Sequence, residues 1–137
     1  MTLRVTEISV DCADPSSLAR FWAAALDYVV VHEDPDLVEI APAGTVDEQL
    51  LADVRSGPVP PTVFFARVPE GKVVKNRLHL DLSPVDTDRD TEVARLEALG
   101  ARRTDLAPPD KSWVVMLDPE GNEFCVLRSL APGHFSL

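Results

Sequence analysis

Glu7, His79 and Cys125 are the side chains of this chain best suited to do chemistry together. A carboxylate, an imidazole that titrates near neutral pH and a thiol serve either proton transfer or coordination of a divalent metal. Two of the three open similar phrases. Glu7-Ile8-Ser9-Val10-Asp11-Cys12-Ala13-Asp14 and His79-Leu80-Asp81-Leu82-Ser83-Pro84-Val85-Asp86 each read as a short strand. Each ends in a helix-capping acid at the same offset and is followed by a helix-like run. Ligand-type side chains at matching points of two similar modules would converge on one shared pocket.

Each candidate has a plain structural reading beside its chemical one. His79 is a metal ligand, a hydrogen-bonding partner of substrate or a general base, or else a half-buried strand histidine satisfied by a neighbour. Glu7 shares a strand face with Ser9 and Asp11 because strand side chains alternate. If that face lines the pocket, Glu7 meets His79 as a catalytic partner; otherwise it is a solvated charge. Cys125 completes a three-ligand zinc site with Glu7 and His79, water taking the fourth place, or packs as a small hydrophobe. Asp81, two residues beyond His79, orients that ring or a substrate hydroxyl, or pairs with a cation such as Arg77. Trp113 offers a flat face for a ligand to stack on, whereas Trp22 reads as core. Arg67, beside Phe65 in the expected ligand-binding set, anchors a carboxylate or phosphate if it faces inward and is a surface charge if it faces outward. Gly121 and Asn122 answer to turn geometry. The basic run from Lys72 to Arg77 gates an anionic ligand or, as preferred here, is a polar linker.

The elements that must position these residues follow from pattern. Residues 4–12 suggest a strand. Asp14-Pro15 supplies an N-cap and a proline at the first helical position. Leu18, Phe21, Trp22, Ala25 and Leu26 give a helix over about 15–26 an apolar face. Strands follow at 28–32 and 37–41, separated by the Asp34-Pro35-Asp36 turn. Residues 42–61, with four prolines and two glycines, read as an insertion or lid holding a short helix over 47–55. A strand over 62–68 closes the first module, about 1–70. The second, about 76–128, has strands at 76–82, 101–104, 111–117 and 123–128, and a helix over 86–99 stopped by Gly100. The order is β-α-β-β-β, twice, within a single domain over 1–137.

The chain has 137 residues, 45% hydrophobic and 26% charged, with a formal net charge of −10. That balance speaks against binding a phosphate backbone or an anionic membrane surface. No apolar run approaches the roughly 20 residues of a bilayer span, and the N-terminus lacks a signal-peptide core, so a cytoplasmic location is expected. Cys12 and Cys125 lie in apolar strand-like runs, which predicts two buried thiols and no disulfide.

The chain resembles the vicinal oxygen chelate superfamily, the glyoxalase, bleomycin-resistance and extradiol dioxygenase group, and within it the small glyoxalase-like domain proteins. The carriers are Asp11-Cys12-Ala13-Asp14-Pro15 leading into Leu18-Ala19-Arg20-Phe21-Trp22, the block from Val68-Pro69-Glu70 to Lys75-Asn76-Arg77-Leu78-His79-Leu80-Asp81-Leu82, and Asp118-Pro119-Glu120-Gly121-Asn122-Glu123-Phe124-Cys125. The resemblance implies an α+β fold of two paired βαβββ modules forming a cupped mixed sheet. It also implies metal ligands on the first and last strand of each module. Glu7 and His79 stand at the first-strand positions. Cys125 stands where the last strand of module two would carry a glutamate, and the matching place in module one lies near Phe65 or Arg67. At most three of four ligand positions keep a metal-capable side chain. The expectation is therefore a small-molecule-binding protein with a degenerate metal site, no cofactor, and an organic ligand in the cup between modules. The alternatives are a lyase, isomerase or dioxygenase using Zn, Fe, Mn or Ni, and a metal-free acid–base enzyme using His79 and Glu7. A homodimer is expected, with neither nucleic acid nor membrane as partner.

Overall fold

The computed structural model describes residues 1–106 and 112–134. Its elements run β1 (Glu7–Cys12), α1 (Pro15–Leu26), β2 (Tyr28–Glu33), β3 (Leu37–Pro42), α2 (Asp47–Ser56), β4 (Thr62–Arg67), β5 (Asp81–Leu82), α3 (Arg89–Leu99), β6 (Arg102–Arg103), β7 (Val114–Leu117) and β8 (Glu123–Val126). The doubled β-α-β-β-β order is observed, with α2 added between the last two strands of the first copy. The chain divides into two compact units, Met1–Gly71 and Lys72–Leu137. Each holds a four-stranded sheet, in the orders β1-β4-β3-β2 and β5-β8-β7-β6. In both, the first strand runs parallel to the last and the other pairings are antiparallel. The class is α+β, two mixed sheets each carrying one helix of the repeat.

In the first unit the alternation of β1 decides which face is packed. Ile8, Val10 and Cys12 are covered, while Glu7, Ser9 and Asp11 are exposed. The register places Val63 and Phe65 of β4 beside Ile8 and Val10, and Ile40 and Val38 of β3 beside those. Helix α1 packs on β2, β3 and β4 through Leu18, Phe21 and Trp22, all buried. The Phe21 and Trp22 rings meet edge to face, 5.2 Å between centroids at 83°. Asp14 caps α1 by accepting from the Ser17 N–H, and Pro15 opens the helix, as its sequence predicts. Among the described residues no helix is long and apolar enough to cross a membrane.

The second unit departs from the sequence expectation in two places. The strand expected over 76–82 is laddered only at Asp81–Leu82. The Glu123 carboxylate takes the Asn76 N–H at 2.9 Å, and backbone pairing to β8 begins at the Leu80 carbonyl, which accepts from the Cys125 N–H. The second helix begins later than its first copy suggests. Its cap is Asp88, which accepts from the Thr91 N–H, and Asp86 does not cap it. The Ser129 hydroxyl donates to the Thr87 carbonyl and the Leu130 N–H to that of Pro84, holding 84–87 out of the helix. The strand expected over 111–117 is seen at Val114–Leu117; Lys111 lies outside the described residues, as does the tail from 135.

The turn from Asp118 to Asn122 sets the start of β8. Asp118 is fully buried and its carboxylate accepts from the backbone N–H groups of Glu120 and Asn122 and from the Asn122 side-chain amide. Gly121 sits at φ 85°, where a side chain would be strained. Asp118→Ala leaves those donors without their acceptor in a closed space and should cost about 2–3 kcal/mol. Urea unfolding measures it; a loss under about 0.5 kcal/mol would show that water replaces the carboxylate.

Candidate functional site

His79, Asp81 and Cys125 are brought together in the second unit by the parallel pairing of β5 with β8. Asp81 lies opposite Cys125 in the register, so the two side chains share a sheet face. His79, two residues before Asp81, leans onto the same face. Its Nδ1 stands 3.2 Å from the Asp81 carboxylate and 4.0 Å from the Cys125 sulfur. The His79 side chain is 38% exposed and Asp81 half exposed, while Cys125 is buried. Burial pushes the Cys125 thiol up, and the Asp81 carboxylate adds to the shift by hydrogen bond and charge, to about 11. The thiol is thus neutral at physiological pH and serves as a weak donor to an anion beside it.

The three groups offer one donor atom each, all within 4.8 Å of one another. Around a tetrahedral zinc the donors would stand roughly 3.3–3.8 Å apart. Rotation of the two exposed side chains spans that difference. Mixed nitrogen, oxygen and sulfur donors suit a borderline-soft divalent ion such as zinc. The residues therefore fit a metal in kind, provided that it displaces the thiol proton.

The other expected site residues are placed as follows. Glu7 is exposed at the start of β1, on the open sheet face of the first unit, which also carries Ser9, Asp11, Phe64 and Ala66. Phe65 is completely buried among Val10, Val38 and the α1 side chains, so its ring belongs to the core. Arg67 pairs with Cys12 in the register and spends its guanidinium on the carbonyls of Ala13 and Pro35 and on the Asp36 carboxylate, stitching the end of β4 to two loops. Trp113 is half-buried and precedes β7. Cys12 and Cys125 are both buried thiols outside any disulfide, and Cys12 donates to the Ala66 carbonyl.

Counted from Glu7 and His79, the residue of β4 that matches Cys125 is Phe64, next to the expected Phe65; counted from the helix caps Asp14 and Asp88, it is Thr62.

One functional-looking carboxylate escapes sequence reasoning. Glu123 is 8% exposed, pairs with the Lys72 ammonium at 3.0 Å and accepts from the Asn76 N–H. Burial raises its pKa, but the Asn76 and Lys72 hydrogen bonds outweigh that and hold it below the usual glutamate range. The basic run at 72–77 is thus in part a clasp onto β8. Its signal in the sequence is a lone lysine run opposite a glutamate embedded in apolar strand, which by itself names no partner.

Against known proteins, the family described as "Glyoxalase-like domain" matches residues 7–127. No curated protein sequence matches the chain. Several solved structures share the fold. One is a glyoxalase/bleomycin resistance protein/dioxygenase family enzyme from Burkholderia phytofirmans PsJN, with TM-score 0.63 and 15% identity over 90% of this chain and 97% of that one. The fosfomycin resistance protein FosX from Mesorhizobium loti gives 0.65 and 13%, over 94% of each chain. A variant of FosX from Listeria monocytogenes, complexed with Mn(II) and 1S,2S-dihydroxypropylphosphonic acid, gives 0.67 and 11%, over 94% of this chain and 92% of that one. At these identities the likeness is one of fold.

Two outcomes follow from the geometry. Asp81→Asn removes the charge that helps hold the Cys125 proton, so the thiol's pKa should fall below about 11. Thiolate absorbance during a pH titration reads this, and an unchanged midpoint would show that burial alone sets it. Glu123→Gln should destabilise the protein at neutral pH by about 2 kcal/mol. Because the folded carboxyl titrates below its unfolded value, its contribution is present above the ordinary glutamate range and fades as pH falls through the folded value. Parent and variant stabilities should converge in acid; a gap that persists at low pH would refute the ionic clasp.

Proposed function

The chain belongs to the glyoxalase-like domain family, and from that premise we propose that it binds a small organic molecule on the sheet face that carries His79, Asp81 and Cys125. The observation that carries this reading is the contact of His79 Nδ1 with the Asp81 carboxylate. A carboxylate accepting from Nδ1–H holds the ring in one tautomer and leaves Nε2 as a hydrogen-bond acceptor for a ligand hydroxyl or amide. The Cys125 thiol, neutral in the metal-free protein, adds a weak donor to that face. A cytoplasmic location and a homodimer belong to the same proposal; the exposed Val29, Val30 and Val31 on the β2 edge support a covered edge.

The second reading is a divalent-metal site, favoured by the convergence of three donors. His79, Asp81 and Cys125 would hold the ion, which as a Lewis acid would polarise the oxygens of a bound ligand. The FosX variant bound to Mn(II) supports such chemistry on this fold. In a metal-free acid–base version, the acid at hydrogen-bond distance from His79 is Asp81, with Glu7 as a further candidate.

A thermal-shift screen of small oxygenated metabolites, with chelator and then with added zinc or manganese, separates the readings. Binding predicts a rise of roughly 5 °C or more at a hundredfold excess over Kd without metal. His79→Ala should keep the parent Tm and lose that rise. A response only after metal is added, with near-stoichiometric metal by elemental analysis, supports the second reading. A ligand response that survives His79→Ala overturns both.

A further inference from the structure

The sheet face that carries Asp81 and Cys125 also carries a cation at its far edge. Val115 of β7 lies beside Cys125 in the register, Leu117 follows it on the same face, and Arg102 of β6 pairs with Leu117. Glu123, two residues before Cys125, also pairs with Leu117, so Glu123, Leu117 and Arg102 form one row across β8, β7 and β6. The neighbouring Arg103 belongs to the other face. It pairs with the fully buried Met116, and its guanidinium meets the Glu97 carboxylate of α3 at 2.7 Å. Arg102 is exposed and has no hydrogen bond or ion pair with any described residue.

A second cation is tethered at the other end of the row. The Asn76 N–H is held by the Glu123 carboxylate at 2.9 Å, which brings the adjacent Lys75 to that end. The Lys75 ammonium donates to the Asn76 carbonyl at a long 3.4 Å. Its charge reaches the Cys125 sulfur, where it opposes the rise that burial causes in the thiol. The carboxylates of this face are already answered, Glu123 by the Lys72 ammonium and Asp81 by Nδ1 of His79. Lys75 and Arg102 are the charges left over, in a chain whose formal net charge is −10. Leu117, half-buried, lies in the row between them. Unpaired cations beside a candidate site in an otherwise acidic chain suit an anion, and the N–H fork of a guanidinium matches the edge of a carboxylate.

We propose that the ligand bound at His79 is a small hydroxylated carboxylate, its hydroxyl donating to Nε2 of His79, its carboxylate on Arg102 with Lys75 as the second cation, and its apolar middle on Leu117. This rests on the binding role proposed for His79 and adds the charge of the ligand to it. The strands β5 and β6 stand three spacings apart, about 14 Å, and the leaning His79 ring and the guanidinium arm shorten that gap to the length of a one-ring molecule.

The probe is 4-hydroxybenzoate, with 4-hydroxybenzamide as its neutral twin. Titrated into the full chain at low salt and followed by amide NMR, the acid should give saturable shifts at His79, Asp81, Leu117 and Arg102. It should bind about tenfold more tightly than the amide. Arg102→Gln, an exposed change that leaves the core intact, should remove most of that preference, and Lys75→Gln part of it. Added salt should weaken the acid and leave the amide unchanged. Equal affinity for acid and amide, both lost in His79→Ala, overturns the anion and leaves the role of His79 standing. Acid binding that is lost in Arg102→Gln and untouched by His79→Ala keeps the anion anchor and overturns the role of His79. No saturable shifts from the acid at these residues overturns the proposal, and the metabolite screen then decides the role of His79 by itself.

Discussion

The candidate site depends on one constraint, the parallel pairing of the first strand of a unit with its last. Parallel strands cannot be joined by a tight turn, so each unit must lay a helix and two strands between them before they meet. In the second unit only two residues of β5 make that pairing, and Asp81 opposite Cys125 is half of it. A slip of one residue would put Phe124 or Val126 beside Asp81 and turn Cys125 to the other face. Glu123 guards against the slip. Its carboxylate holds Asn76 and Lys72 a few residues before β5, which tethers the segment that leads to His79 and Asp81.

Much of this was legible in the chain. The αβ patterning, the Asp14-Pro15 start of α1 and the doubled order needed only local rules, because capping and periodicity are set within a few residues. Asp11, Ser9 and Glu7 fell on one open face for the same reason. What failed was long-range. Phe65 alternates with Phe64, and which of the two faces the helix depends on a register with β1 and β3 that no local signal carries. Arg67 reads equally well as an anion anchor until the Ala13 and Pro35 carbonyls are seen to take it. Asp86 and Asp88 are both good caps by type. Ser129, far along the chain, takes the Thr87 carbonyl that a helix starting at Asp86 would have used.

The two units share a frame and carry different chemistry on it. In the first, the open face of β1 and β4 bears Glu7, Ser9 and Asp11 beside Phe64 and Ala66. In the second, Asp81 brings a carboxylate from the first strand to the face where the last strand carries Cys125. The polar centre of the second unit thus draws on both strands of its parallel pair.

Asp81 has two competing uses. While its carboxylate accepts from Nδ1–H of His79, the ring presents Nε2 outward and Cys125 stays protonated beside it. Were the three groups to hold one ion, the thiol would give up its proton and the carboxylate would serve the metal. His79 would then offer Nδ1, which stands 4.0 Å from the sulfur and would release Asp81, or turn its ring to offer Nε2. The proton between His79 and Asp81 would tell the first case from the hydrogen-bonded state.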